Sequence, residues 1–300
     1  MSFSPAQATN VPTAFALRRT QGLSLLPIAP TGVVFVSIFA VPILGLLAES
    51  FQTFTPGRLG SVADAPLTLQ NYLDLVSASF AGVLFETFWI SALAAFLGVL
   101  IAFPLAFFIV RRFPARWRAV AIGLMITLVL LSMLMRTYSL ELTFGSVGIV
   151  RPLLVWLGVS PTARWYIDAL VAAGLAHAIV PIATLTLLGA VQNIDPRLAD
   201  AAQSLGAPVW RSHLDVTLPL SLPALISAYL VALTFAISAF VIPMVLGKGR
   251  VLFISNVIYT RFSDVANYPS GAAISVVMLV ASLIVVYSVS LVRTSNRTEK

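Results

Sequence analysis

Apolar residues in this chain come in long unbroken runs parted by short polar segments, and six of the runs contain no Asp, Glu, Lys or Arg. They lie within Thr20–Ala48, Thr87–Val110, Ala119–Met135, Ala169–Ile194, Val216–Gly247 and Val265–Val292. A helix crosses a bilayer with roughly 17–25 residues, so every run is long enough. The third is the shortest, and Arg136 at its end can snorkel to the headgroups. Hydrocarbon offers no water to backbone groups, which leaves only helices or a closed barrel. Barrel strands would alternate apolar and polar positions with period two. The runs do not alternate, so the pattern predicts an all-α membrane protein with six transmembrane helices.

Composition agrees: 59% of residues are hydrophobic, 10% are charged, and mean hydropathy is +0.98, whereas a soluble domain carries about 25% charged residues. The net charge of +7 raises nucleic acid as a partner, but the distribution of charge answers it. With both termini placed in the cytoplasm, the inner segments hold Arg18, Arg19, Arg111, Arg112, Arg116, Arg118, Arg197, Arg211, Arg293, Arg297 and Lys300 against four acids. The seven outer bases are balanced by the seven remaining acids. All the net charge is therefore a positive-inside signal, and no nucleic-acid role is expected. The alternative that Arg18–Arg19 opens a cleaved secretion signal fits less well, because the run that follows exceeds the 7–15 apolar residues of a signal core. There is no cysteine, which excludes disulfides and thiolate metal sites. Two histidines, His177 and His213, cannot supply a three-histidine centre, so no metal site is expected.

The expected organisation is a cytoplasmic tail over residues 1–26, a six-helix membrane domain over 27–293 and a second tail over 294–300. Residues 51–83 should form an external loop with a short helix in LTLQNYLDLV, and 139–166 and 247–271 two further external segments. Small residues recur at every fourth position in Ala94, Gly98, Ala102 and Ala106, and again in Ala224, Ala228, Ala232 and Ala236. Such stripes let helix backbones approach closely in a membrane, and packing within the chain is favoured over a subunit interface. Pro104 and Pro181 fall inside runs and are expected to kink them.

The cytoplasmic segment 195–219 differs from the other loops. Asp195 is a good N-cap, and Pro196 suits a first helical turn, where its missing N–H costs nothing. Leu198, Ala201, Ala202 and Leu205 follow at i, i+3, i+4 and i+7, a single apolar stripe. Gly206 provides the C-terminal break, and Pro208 prevents continuation. The result is a helix of about ten residues with an apolar face on the cytoplasmic side. Leaving either leucine in water forfeits on the order of 1.5–3 kcal/mol, so a partner groove or the chain's own loop must cover it. Helix-in-groove docking is the recurrent solution.

The stretch DAAQSLGAPVWRSHLDVTLP, from Asp200 to Pro219, resembles the "EAA" loop of binding-protein-dependent ABC importer permeases. Asp200 stands for the usual glutamate, Ala201 and Ala202 for the alanines, Gly206 for the glycine, and Val216, Leu218 and Pro219 for the closing positions. NYLDLV, MRTYSLELTFGSVGIV and GRVLFISNVIYTRFSDVANYPSGAAIS extend the likeness from about Val33 to Leu291, toward the spermidine/putrescine-type branch. The resemblance implies a type I importer permease in the bacterial inner membrane, carrying a small, polyamine-like solute and not itself an enzyme. It further implies a cytoplasmic ABC ATPase dimer, a second and different permease subunit, and an extracytoplasmic solute-binding protein. ATP and Mg²⁺ would sit on the ATPase, in keeping with the lack of any G-x-x-x-x-G-K-[ST] here to cradle phosphates. The sequence departs from the branch pattern at Asp200, at Glu86 and at His177.

Glu86, Glu141, Asp168 and Asp264 are expected to line the outer mouth and attract a cationic solute, with His177 a further candidate in the pathway. Two other classes stay open at this point. A gradient-driven transporter would need acids or broken helices near the midplane, and no mid-span carboxylate is present. An intramembrane enzyme would need a catalytic set, and there is no HExxH or paired intramembrane aspartate.

Overall fold

The computed structural model describes residues 29–56 and 66–298; the tail expected over residues 1–26 lies outside them. In chain order the helices are α1 (Ala29–Ser50), α2 (Gln70–Leu73), α3 (Ala78–Arg111), α4 (Ala115–Leu130), α5 (Met133–Phe144), α6 (Arg151–Trp156), α7 (Arg164–Asn193), α8 (Arg197–Ser204), α9 (Val209–Ser212), α10 (Leu218–Ile237), α11 (Val241–Gly247), α12 (Ile254–Tyr259) and α13 (Tyr268–Thr298). Two π-helical turns, His213–Thr217 and Thr260–Asp264, complete the helical part. The only extended pairing among the described residues is an antiparallel bridge between Gln52 and Leu67. The chain forms two units that part at Gly45 and Leu46, and the first holds most of α1.

Five segments are long and apolar enough to cross a membrane: α1, α3, α7, the stretch Val209–Ile237 and α13 to Leu291. The sixth expected crossing is not one straight helix. α4 and α5 meet at an angle of 90°, because Leu131 and Ser132 adopt extended backbone with ψ of 136° and 126°. The 16 residues of α4 rise about 24 Å at 1.5 Å each, short of a core roughly 30 Å thick. α4 and α5 make a crossing only as a bent pair. The fifth run is corrected too. Its helix stops at Ile237, and the remainder turns through Ser238–Phe240 into the short α11. The carbonyls released at this break find donors: Ser255 Oγ gives a 2.7 Å bond to Ala239 O, and Asn256 Nδ2 a 3.1 Å bond to Phe240 O. Backbone irregularity at membrane depth is tolerated where protein satisfies it. At the far end α13 continues through positions 294–298.

A capping residue lengthens α3 beyond its uncharged run. Ser77 accepts a 3.2 Å bond from the Phe80 N–H, so α3 starts well before Thr87. Both α3 and α7 remain helical through their prolines, Pro104 and Pro181.

The core of the second unit is built on α3 against α7, with α10 packed on both. The two small-residue stripes supply its close approaches: Ala94, Ala102, Ala106, Ala228, Ala232 and Ala236 are all buried within the chain. Gly98 is the tightest point. A Cβ there would lie 2.5 Å from Ile179 Cγ2 and 2.9 Å from Ile179 Cβ, and Ile179 is itself fully buried. Overpacking costs about 1–3 kcal/mol. Gly98→Leu is thus expected to lower the thermal midpoint of the detergent-solubilised protein. Gly123→Leu, on α4 with nothing within 4 Å, should not; equal midpoints would contradict this packing.

Candidate functional site

The segment after α7 folds as two short helices, α8 and α9, joined through residues 205–208. Asp195 Oδ1 accepts a 3.0 Å bond from the Arg197 N–H, which caps the start of α8. At the other end Ala207 N–H bonds Ala202 O at 3.1 Å and Gly206 N–H bonds Gln203 O at 2.9 Å. This is a Schellman closure, and it requires the left-handed residue that Gly206 supplies at φ +93°. Gln203 Nε2 then donates to Ser212 Oγ at 3.2 Å, while the Ser212 hydroxyl donates to Val209 O at 2.8 Å. These bonds lock α8 to α9.

The locked pair turns Ala199 and Ser212 inward and its large apolar residues outward. Leu205 is 90% exposed, Leu198 47%, and Val209, Trp210 and Leu214 between 50% and 62%. Ala201 is exposed beside them and Ala202 half-buried. Asp200 is exposed and forms no ion pair among the described residues. The closing residues sit where the loop re-enters the membrane domain: Val216 and Leu218 are half-buried and Pro219 is exposed. Pro219 has no N–H to offer the preceding turn, and the π-helical turn His213–Thr217 precedes it, with His213 Nδ1 and Thr217 Oγ1 3.2 Å apart. A cavity of ≈ 370 Å³ opens between this loop and the ends of α3 and α7, lined by Arg111, Asp195, Asp200, Gln203 and His213 among others. Arg111, at the end of α3, donates from Nη2 to Val191 O at 3.0 Å and also to Ile194 O.

Sequence reasoning missed three parts of this site. It did not foresee that Trp210 and Val209 of α9 would join the exposed patch, or that Gln203 and Ser212 would bind the two helices together. It also left Arg111 as a plain inner-surface charge. The Trp210–Arg211 pair, with the guanidinium 5.7 Å from the ring centre, was readable as an exposed aromatic in a polar loop; the other two depend on folding.

The acids expected at the outer mouth are distributed differently. Glu86 and Asp168 come together on one arginine: Arg164 pairs with Glu86 and, at 3.2 Å, with Asp168. Glu141 is buried and pairs with Lys248, whose ammonium also donates to Ser146 Oγ at 2.7 Å. This pair borders a cavity of ≈ 210 Å³ that Arg250 and Thr162 also line. Asp264 is exposed, in the second π-helical turn, and has no ion pair among the described residues. His177 sits on an exposed face of α7, joined to none of these acids by a hydrogen bond or ion pair. No cluster of three or more His, Cys, Asp or Glu that could hold a metal occurs among the described residues.

Comparison with known proteins places this arrangement. Residues 96–299 match the family described as binding-protein-dependent transport system inner membrane component. The spermidine/putrescine transport system permease protein PotB of Haemophilus influenzae is 32% identical over 252 residues, covering 82% of this chain and 86% of the relative. Its namesake from Escherichia coli is 26% identical over 242 residues, covering 80% and 86%. Among solved structures, a bacterial ABC transporter involved in import of the acidic polysaccharide alginate has the same fold. Its TM-score is 0.70 at 19% identity, over 91% of this chain and 95% of that one. The loop geometry, the apolar helices and these matches lead to one conclusion: the chain belongs to the binding-protein-dependent transport system inner membrane components, as a multi-pass permease subunit of an ABC importer in the inner membrane.

Proposed function

We propose that α8 and α9 seat in a groove of a cytoplasmic ABC ATPase and carry its closure into the membrane domain. The observation that carries this reading is the outward apolar patch of Leu198, Leu205, Val209 and Trp210, held on a hydrogen-bonded frame. Exposed large apolar side chains clustered on one rigid face mark an interaction surface, and helix-in-groove docking uses such anchors. Leu198, Ala201, Ala202 and Leu205 form the contact stripe, with Asp200 at its edge to meet a basic group. Gly206 sets the turn, and Val216, Leu218 and Pro219 return the chain to α10. ATP and Mg²⁺ belong to the ATPase dimer, and this chain is non-catalytic. ATP-driven approach of the two ATPases would draw the α8 helices of this chain and of a second, different permease subunit together. That motion tilts the spans, opens the path toward an extracytoplasmic binding protein, and hydrolysis returns the path inward. A site-directed crosslink from Leu205→Cys to the ATPase in the otherwise unchanged complex tests the docking; absence of any such crosslink contradicts it.

The solute in this reading is a small polyamine-like cation, supported by the names of the relatives and by the acids on the outer side. Because Glu86, Asp168 and Glu141 are held by Arg164 and Lys248, Asp264 is the one of these four acids that has no ion pair among the described residues and can meet an arriving cation. Asp264→Asn should lower cation uptake without changing thermal stability. The quadruple variant that also neutralises Glu86, Glu141 and Asp168 should lower it further, and wild-type uptake by that variant would rule out an acidic mouth.

A further inference from the structure

The junction of α7 with α8 lies on the proposed coupling path, and one arginine braces its α7 end. The last four carbonyls of a helix have no partner within it. α7 carries no basic residue in its own last turn. Ile194 after it is extended, at ψ 122°, and Pro196 has no N–H to return. No local donor reaches Val191 O or Ile194 O among the described residues. The donor comes from α3: Arg111, its final residue, sends Nη2 to both Val191 O and Ile194 O. Arg111 is half-buried and also lines the cavity under the coupling loop. On the other side of the joint, α8 is fixed to Asp195 by the Arg197 N–H bond at 3.0 Å and the Leu198 N–H bond at 3.3 Å.

We propose that Arg111 is a positioning residue for transport, tying the inner ends of α3 and α7 together so that displacement of α8 moves both. Without it, a push on α8 would be absorbed by bending at Ile194–Pro196. Both bonds leave a single nitrogen, Nη2, whose two N–H groups are fixed in the guanidinium plane; a lysine ammonium, on a shorter and freely rotating end, holds both carbonyls less well. Arg112 is the natural control: it is adjacent, exposed and lines the same cavity, but its side chain makes no hydrogen bond or ion pair among the described residues. The inference rests on the docking reading above.

The test uses the complete transporter, with ATPase, second permease and binding protein, reconstituted in proteoliposomes carrying Arg111→Ala, Arg111→Lys or Arg112→Ala. ATPase association, ATP hydrolysis and solute uptake are measured on the same samples. Removing bonds from a charged donor to carbonyls is expected to cut uptake per ATP about ten-fold in Arg111→Ala, with the ATPase still bound and hydrolysing. Arg111→Lys should fall between that and wild type, and Arg112→Ala should equal wild type. If Arg111→Ala fails to assemble, the ratio in Arg111→Lys decides. An unchanged ratio in the variant that assembles overturns the proposal, even where uptake and hydrolysis fall together. A wild-type complex that holds no ATPase overturns the docking reading and this inference with it; a bound ATPase with an unchanged ratio overturns this inference alone.

Discussion

Replacing Leu198 and Leu205 together with aspartate is expected to abolish ATP-driven uptake while the chain still inserts and folds. Both side chains project from the locked α8–α9 frame, Leu205 at 90% exposure and Leu198 at 47%, so neither contributes to the chain's own core. Central apolar anchors of an interface cost on the order of 2 kcal/mol or more when lost, about 30-fold in affinity each. Two introduced carboxylates add a desolvation penalty on top of that loss. The detergent-solubilised variant should therefore keep the wild-type thermal midpoint and lose the ATPase on purification. The same substitution at Ala199, which is buried, should instead lower the midpoint. If Leu198→Asp/Leu205→Asp retains both ATPase and uptake, the exposed patch is not the docking surface.

The second large effect is expected at Gly206. Its φ of +93° is needed for the closure of α8, and a Cβ at this position would meet nothing within 4 Å. The penalty for a side chain is thus conformational rather than steric with neighbours, about 1–2 kcal/mol for an L-residue in the left-handed region and worst for a β-branched one. Gly206→Val should swing α8 away from α9, breaking the Gln203–Ser212 bond, so that hydrolysis runs without matching uptake. Asparagine tolerates left-handed backbone, so Gly206→Asn should recover much of the coupling. Equal uptake per ATP in wild type and Gly206→Val would show that the turn does not transmit motion.

The fold of the 195–206 segment was legible in the sequence because its signals are local. Asp195, Pro196 and Gly206 act on the turn they belong to, and the stripe from Leu198 runs along α8 to its C-cap, Leu205. The small-residue stripes were equally readable, since the close packing of α3 on α7 and α10 needs little more than absent side chains. What remained hidden depends on partners far along the chain. The break after Ile237 is stable because Ser255 and Asn256, each 16 residues beyond the carbonyl they serve, donate to it. Arg111 acts across 80 and 83 residues, and Glu86 meets Arg164 across 78. Counting charges per loop could not say which of these groups neutralise each other. The bend between α4 and α5 was hidden for a different reason: Leu131 and Ser132 carry no glycine or proline signal, and the apolar run passes straight through them.

The central claim, that this permease subunit works by docking α8 and α9 on a separate ATPase, is tested most directly by purifying the tagged chain from native membranes in mild detergent and identifying its companions by mass spectrometry. The account predicts a P-loop ATPase together with a second six-span permease, and crosslinks from the ATPase to residues 196–205. A chain that purifies alone, with no ATPase recovered even after crosslinking through that helix, would contradict it.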